Sequence, residues 1–172
     1  PHRRRPALGP APVNPALARA LLRHGDRQEE ALRALSLTDD LTGVHNRRGF
    51  LALAEQHLRF ARRNHRELVL LFVDMDDFKS INDRFGYREG DAALRTAAQI
   101  LRGTFRDSDV IARLGGDEFV VLAADTGSSQ AIVDRLGRRL DDHNGRATRP
   151  YRLSFSAGVA RFDPDAPASI EE

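Results

Sequence analysis

Two glycines and two acidic residues interrupt an otherwise apolar part of the chain. They form the run Gly115-Gly116-Asp117-Glu118, with apolar alternation before it and an apolar run from Phe119 to Ala124 after it. This pattern predicts two antiparallel strands joined by a hairpin, with the glycines and acids at its tip. Glycine there lets the backbone turn and lets a ligand approach closely. The pattern therefore predicts a sheet that carries two carboxylates at one end.

A second apolar run also ends in acidic residues. Leu68 to Val73 are all apolar, which predicts a strand buried on both faces, and Asp74 follows directly. Asp74 would lie at the carboxyl end of this strand, where ligands often bind in sheet proteins. With Asp117 at the hairpin tip, two carboxylates are expected on neighbouring strand ends. Mg²⁺ takes oxygen ligands and usually binds through one or two carboxylates plus substrate phosphates. The two acids therefore predict a magnesium site.

Lys79 follows the same strand and is the only lysine among the 27 basic residues. A compact ammonium group binds phosphate as a point charge, which is a reason for lysine in a chain otherwise biased to arginine. With the acids, it predicts a metal-and-triphosphate site. For each piece alone there is a structural alternative: acids after a strand can cap the next helix, and Gly-Gly can be an ordinary turn.

The remaining pattern predicts alternating helices and strands. Asn46 would cap a helix from about Arg47 to Arg63, and Asp91 would cap one that runs to about Thr104. A helix from Ser129 to about Asp142 and a strand from Tyr151 to Phe162 complete the order. Together with the hairpin, this predicts an α/β (α+β) fold, a βαββαβ sandwich with a mainly antiparallel sheet flanked by helices, similar to the ferredoxin-like palm of nucleotide polymerases and cyclases.

Five motifs follow one another along the chain, between about Thr38 and Ala160. They are Asp39 to Arg48, Asp74 to Lys79, Asn82 to Asp91, Gly115 to Phe119 and Ser156 to Ala160. In this order they resemble the GGDEF family of diguanylate cyclases, with Tyr87 standing where the family usually has histidine. The resemblance implies a bacterial second-messenger enzyme that condenses two GTP molecules into cyclic di-GMP and releases two pyrophosphates.

The resemblance also implies roles for individual residues. Asp74, the backbone carbonyl of Met75 and Asp117 would hold Mg²⁺ or Mn²⁺, and Glu118 would be a further ligand or a proton acceptor. Asp117, Glu118 and Lys79 would be the catalytic residues. The GTP-binding residues would be Phe78, Lys79, Asn82, Asp91, Gly115 and Gly116.

Two of these residues would select the base. The amide of Asn82 and the carboxylate of Asp91 can satisfy the O6 acceptor and the N1 and N2 donors of guanine. Adenine would leave a polar group unpaired, so such a pair discriminates against it. Asp91 can hold this role together with that of a helix cap.

The reaction also constrains the assembly. Each new bond joins the 3′-hydroxyl of one nucleotide to the α-phosphate of another, and the product is two-fold symmetric, so an antiparallel homodimer is implied. Arg106 and Asp109 form an RxxD motif, which in the family is a product-inhibition site for cyclic di-GMP. A salt bridge within the loop is the structural alternative for this pair.

The chain divides into three parts by composition. Residues 1–14 are proline-rich and read as a disordered tail, and residues 15–36 read as a signalling and dimerisation helix or as a solvated linker. Residues 37–172 would be the GGDEF domain. Family members continue beyond Glu172 with a basic helix and a strand, so this chain is expected to be weakly active or inactive alone, and an upstream sensory or membrane segment is compatible with it.

Charge and composition restrict the partners. The net charge is +2, and residues 1–36 carry seven basic and three acidic residues, which leaves 20 basic and 22 acidic residues in the rest. The catalytic part is therefore not expected to bind nucleic acid. No apolar run is long enough to span a bilayer, and GTP as substrate implies the cytoplasm. Two alternatives stay open: a non-catalytic regulatory module that binds GTP or cyclic di-GMP, and a palm-type cyclase that uses ATP.

Overall fold

The computed structural model describes residues 36–124 and 127–164. Within these ranges, five strands and four helices follow one another along the chain. They are β1 (His45–Asn46), α1 (Arg47–Asn64), β2 (Leu68–Met75), α2 (Phe78–Phe85), α3 (Tyr87–Thr104), β3 (Val110–Gly115), β4 (Glu118–Ala124), α4 (Ser129–Arg146) and β5 (Phe155–Phe162).

The strands form one sheet in the order β1-β3-β4-β2-β5. The short β1 runs parallel to β3, and the other three pairings are antiparallel. From β2 to β5 the chain follows the βαββαβ order, with the two helices α2 and α3 between β2 and β3, and β2 lies between β4 and β5 in the sheet. The predicted fold class, a mainly antiparallel sheet flanked by helices, is confirmed.

The two faces of the sheet are covered unequally. Val69, Leu71 and Val73 of β2 belong to the main core, which also contains buried residues of α2, α3 and α4. On the opposite face, Leu68 packs in a smaller cluster with Ala54 and other apolar residues of α1. Phe72 is 49% exposed, so the prediction that this strand is buried on both faces is wrong at its carboxyl-terminal half. That end of β2 is the one that carries Asp74.

The boundaries of the helices explain where the site residues lie. The prediction that Asn46 caps α1 is confirmed, because its side chain accepts a hydrogen bond of 2.9 Å from the Gly49 amide. The prediction that Asp91 caps a helix is wrong. Helix α3 begins at Tyr87 and is preceded by Gly86, whose φ of 85° allows the sharp turn out of α2, so Asp91 lies inside the helix.

Other differences are smaller. Helix α2, between the first acidic motif and Gly86, was not predicted, and strand β5 starts at Phe155 instead of Tyr151. None of the helices in the described ranges combines the length and apolar character that a membrane span requires. The predicted tail at 1–14 and, apart from Ser36, the predicted helix at 15–36 fall outside the described residues, as do residues 165–172.

Candidate active site

The acidic residues of the two motifs meet at one end of the sheet. Asp74 of β2 lies directly opposite Glu118 of β4 in the antiparallel register. The Met75 amide donates a hydrogen bond of 3.3 Å to the carbonyl of Asp117 at the hairpin tip. Partial desolvation and the negative charges of Asp117, Glu118 and Asp76 raise the pKa of Asp74. The sheet therefore brings together the acids that the sequence places more than forty residues apart, as the hypothesis requires.

The donor set at this end of the sheet fits a hard divalent cation. Among the described residues, no group of three or more acidic, histidine or cysteine side chains is arranged to hold a metal ion. Mg²⁺ does not need such a group, because it usually keeps several waters and binds through one or two carboxylates together with substrate phosphates. Asp74 and Asp117 supply the carboxylates, and the charge repulsion at Asp74 is what a cation would relieve.

Asp76 lies near this cluster but faces another partner. Its carboxylate accepts hydrogen bonds of 2.6 Å from the hydroxyls of both Ser154 and Ser156, and these bonds lower its pKa. The bonds join the end of β2 to β5, which also pairs Asp74 with Ser156 in register. Asp76 therefore fixes the strand end that carries Asp74.

The chain turns abruptly after the acidic motif and enters α2. Asp77 adopts a left-handed conformation with φ of 54°, which is uncommon for a residue other than glycine. Phe78 and Lys79 are the first two residues of α2, and the N-terminal amides of a helix favour anions. Phe78 packs against the main core, whereas Lys79 is exposed. Lys79 is therefore exposed in the first turn of a helix that begins three residues after β2 ends.

The two predicted base-selecting residues flank the corner between α2 and α3. Asn82 is in α2, Asp91 is in α3, and Gly86 makes the turn between the helices. A Cβ atom added to Gly90 would lie 1.9 Å from Oδ1 of Asn82, so the Asn82 carboxamide rests directly against the Gly90 backbone. Because Asp91 is the next residue, the structure brings Asn82 and Asp91 to the same corner.

The hairpin tip is held by an arginine whose role the sequence analysis missed. Nε of Arg113 donates a hydrogen bond of 2.8 Å to the carbonyl of Gly116, and its Nη1 atom lies 3.3 Å from both carboxylate oxygens of Asp39. Both side chains are mostly buried, at 15% and 22% exposure. Asp39 also accepts hydrogen bonds from Thr42. The first motif of the chain therefore positions the diglycine turn, and the position of Arg113 just before the glycines was the available signal.

The RxxD pair lies beside a separate cavity of about 210 Å³, which Arg102 also lines. The Arg106 amide donates a hydrogen bond of 2.8 Å to the carboxylate of Asp109. The donor is the backbone amide and not the guanidinium group, so this contact is not the loop salt bridge that was the alternative. Arg102 instead contacts the carbonyl of Gly43. The arrangement is a closed turn with arginine side chains at a cavity.

Comparison with known proteins gives the family. The sequence profile described as "Diguanylate cyclase, GGDEF domain" matches residues 36–172. The chain belongs to the GGDEF domain family. The family prediction made from the five motifs is therefore confirmed.

Individual relatives agree with this assignment. The chain is 36% identical over 148 residues to the cyclic di-GMP phosphodiesterase NbdA of Pseudomonas aeruginosa, covering 85% of this chain and 19% of that protein. It is 42% identical over 122 residues to the diguanylate cyclase TpbB of the same species, covering 71% of this chain and 27% of that protein. The chain thus spans about a fifth to a quarter of the length of these relatives.

A solved structure shows the same fold. It describes an interaction between a microbial GGDEF domain and cyclic di-GMP, and it is similar to this GGDEF domain with a TM-score of 0.63 and 33% identity. The similarity covers 74% of this chain and 82% of that one. The sheet and helices that carry the candidate site are therefore the arrangement of a GGDEF domain.

Proposed function

We propose that this GGDEF domain is a diguanylate cyclase that condenses two GTP molecules into cyclic di-GMP. The observation that carries the proposal is the register of β2 and β4, which places Asp74 opposite Glu118 and beside Asp117. The exposed Lys79 follows on the next helix. Carboxylates and a phosphate-binding lysine at one sheet end form a site for phosphoryl transfer.

The proposed reaction forms two phosphodiester bonds. In each, the 3′-oxygen of one GTP bonds to the α-phosphorus of the other, the bond from that phosphorus to the β-phosphate bridging oxygen breaks, and pyrophosphate leaves. Glu118 accepts the proton of the 3′-hydroxyl. Holding the two reactants in line supplies much of the rate acceleration, since it converts an encounter of two molecules into a reaction within one complex.

Different residues of the chain would bind the phosphates, the guanine base and the metal ion. Lys79 and the Phe78 amide bind the β- and γ-phosphates, and Gly115 and Gly116 let the α-phosphate approach the backbone. Asn82 and Asp91 bind the guanine edge from the α2–α3 corner. Mg²⁺ or Mn²⁺, held by Asp74, the Met75 carbonyl and Asp117, would neutralise charge on the triphosphate and the leaving pyrophosphate.

Catalysis also needs a second copy of the domain. One domain offers one base-selecting corner, whereas the product contains two guanines related by two-fold symmetry. Two domains facing each other in an antiparallel homodimer satisfy both conditions. Because GTP is the substrate, the domain would work in the cytoplasm.

A second candidate is a regulatory module that binds cyclic di-GMP without making it. The cavity bordered by Arg102, Arg106 and Asp109 favours it, since arginine can pair with phosphate or guanine and aspartate can accept from guanine. The same cavity would serve product inhibition in an active enzyme. Turnover separates the two candidates.

The deciding experiment is mass analysis of the products formed from GTP and Mg²⁺. Asp117→Ala should abolish product formation while the folded state persists, because it removes a metal-binding carboxylate. Asp141→Ala, an exposed acid on α4, is the matched control and should keep the activity. Cyclisation by the Asp117→Ala variant at the unaltered rate would refute the metal assignment. Absence of product at high enzyme concentration, both from this chain and from a longer chain that continues beyond Glu172, would favour the regulatory module.

The ATP alternative has its own test. Asn82→Ala should reduce the preference for GTP over ATP, because adenine does not offer the pattern that the Asn82 amide pairs with. An unaltered preference in competition with both nucleotides would remove Asn82 from base selection.

A further inference from the structure

Three side chains, two of them outside the motifs, form a connected network beside the α2–α3 corner. The Tyr151 hydroxyl donates a hydrogen bond of 3.0 Å to Oε2 of Glu89 and lies 3.4 Å from the carbonyl of the same residue. Arg149 forms a salt bridge with the Glu89 carboxylate and donates a hydrogen bond of 3.1 Å to the Tyr151 hydroxyl oxygen. Burial and the bond to Glu89 raise the pKa of Tyr151, so its hydroxyl remains a donor at neutral pH.

Tyr151 contacts both helices that meet at the corner. Its ring lies 5.4 Å from the ring of Phe85, measured between centroids, and Phe85 is the last residue of α2. Its hydroxyl binds Glu89, which is in the first turn of α3. One side chain therefore spans the turn at Gly86, whose backbone freedom would otherwise let the two helices change their angle.

The corner carries the residues assigned to the base. Asn82 is one helical turn before Phe85, and its carboxamide rests against Gly90. Gly90 and Asp91 directly follow Glu89 in the chain. A shift of Glu89 would therefore move Gly90 and Asp91, and a shift of Phe85 would move Asn82.

The other end of the network is anchored to α4. The Asn144 side chain accepts a hydrogen bond of 2.9 Å from the Leu153 amide and donates one of 2.8 Å to the Leu153 carbonyl. Leu153 is itself buried in the main core, at 5% exposure. Arg149 and Tyr151 thus belong to a segment that is held against α4 and the main core.

We propose that Glu89, Arg149 and Tyr151 are positioning residues that set the specificity of the nucleotide site for guanine. They hold the α2–α3 corner against the segment before β5, so that Asn82 and Asp91 keep the separation that the guanine edge requires. They do not touch the phosphates, which bind at the start of α2. This inference rests on the proposed function, because it assigns Asn82 and Asp91 to the base.

The test is a set of binding measurements that separates the base from the phosphates. The probes are 3′-deoxy-GTP, 3′-deoxy-ITP and inorganic triphosphate, each with Mg²⁺. The first two lack the reacting hydroxyl, and inosine lacks the 2-amino group that a carboxylate can bind. Calorimetry gives the dissociation constants for the unaltered chain, Glu89→Gln, Tyr151→Phe and Arg149→Lys.

Tyr151→Phe keeps the ring against Phe85 but loses the hydroxyl bond to Glu89. We expect its Kd for 3′-deoxy-GTP to rise about three- to tenfold, as for the loss of one hydrogen bond. The Kd for inorganic triphosphate should not change, and the preference for 3′-deoxy-GTP over 3′-deoxy-ITP should fall. Glu89→Gln should give the same pattern, and Arg149→Lys, which keeps the charge, should lie closer to the unaltered chain.

Glu67→Gln is the matched control, because Glu67 forms an exposed salt bridge with Arg161 beside the opposite end of β2. It should leave all three dissociation constants unaltered. The inference is overturned if Tyr151→Phe and Glu89→Gln bind all three probes as the unaltered chain does, or if they lose affinity equally for all three. A fourth probe, 3′-deoxy-ATP with Mg²⁺, tests the proposed function by itself. If the unaltered chain binds it as tightly as 3′-deoxy-GTP, the proposed function fails first, and the two failures are thus distinguishable.

Discussion

Gly90 offers a direct test of base selection, because one methyl group at this position should separate stability from specificity. In Gly90→Ala the new Cβ would lie 1.9 Å from Oδ1 and 2.9 Å from Cγ of Asn82, well inside contact distance. Asn82 is partly exposed and has a flexible side chain, so it can rotate away. The methyl group therefore displaces the amide without requiring the backbone to move.

The expected effects on the free energy of unfolding and on nucleotide affinity differ. Alanine is favoured over glycine in a helix by about 1 kcal/mol, and a displaced rotamer costs about 0.5–1.5 kcal/mol, so the free energy of unfolding should change little. The Asn82 amide, by contrast, loses its hydrogen bonds to guanine. One or two such bonds correspond to about 1–3 kcal/mol, which is roughly a five- to 150-fold rise in the Kd for 3′-deoxy-GTP.

Gly103→Ala is the matched control, since Gly103 lies in the same helix. Its added Cβ would meet only the guanidinium of Arg139, at an ordinary distance of 3.9 Å. The assay is urea denaturation of both variants together with their affinities for 3′-deoxy-GTP and 3′-deoxy-ATP. Gly103→Ala should keep the preference for guanine and Gly90→Ala should lose most of it. Equal preference in both variants would show that Asn82 does not read the base.

Three further predictions concern the acids and the hairpin. The raised pKa of Asp74 means that its ionised form destabilises the folded state, so Asp74→Asn should raise the melting temperature near neutral pH, with the difference vanishing below the usual aspartate pKa of about 3.9. Asp76→Asn should lower the melting temperature near neutral pH, because the pKa of Asp76 is lowered in the folded state. This stabilisation is lost as the pH falls from the usual aspartate pKa through the lowered one. Equal shifts of the two variants in a pH series of melting curves would contradict the assignment. Arg113→Lys cannot bind both Asp39 and the Gly116 carbonyl, so turnover should fall about tenfold, and it should fall little further when Asp39→Asn is added. Additive losses of turnover would show that Arg113 and Asp39 do not act together.

The local parts of the fold could be predicted from the sequence because each depends on residues that are close together in the chain. The hairpin from Val110 to Ala124 follows from apolar strands around two glycines, and the Asn46 cap follows from its position before an amphipathic helix. Helix α2 was not predicted, because its eight residues offer too short a periodic pattern. The position of Asp91 was misjudged, since an aspartate before an apolar run resembles a cap, whereas the glycine turn at Gly86 starts the helix one turn earlier.

The sequence predicted the chemical groups of the candidate site but not the contacts that hold them in place. The types and spacing of Asp74, Lys79 and the Gly-Gly-Asp-Glu run predicted a metal and a triphosphate, and the register of the sheet brings the acids together. No spacing rule could show that Asp76 binds Ser154 just before β5 and Ser156 within it, because those contacts join residues about eighty positions apart.

What the amino-acid sequence determined by itself is the four longer strands, the hairpin, the family and the kinds of groups available at the site. Each of these depends on short-range periodicity, turn chemistry or an ordered set of motifs. Only the tertiary structure decided how the groups are held: Arg113 reaches Asp39 across 74 positions, and Tyr151 reaches Glu89 across 62. Such contacts form only when the core packs, because the free energy that brings distant segments together comes from burying apolar side chains and not from the polar residues that then meet.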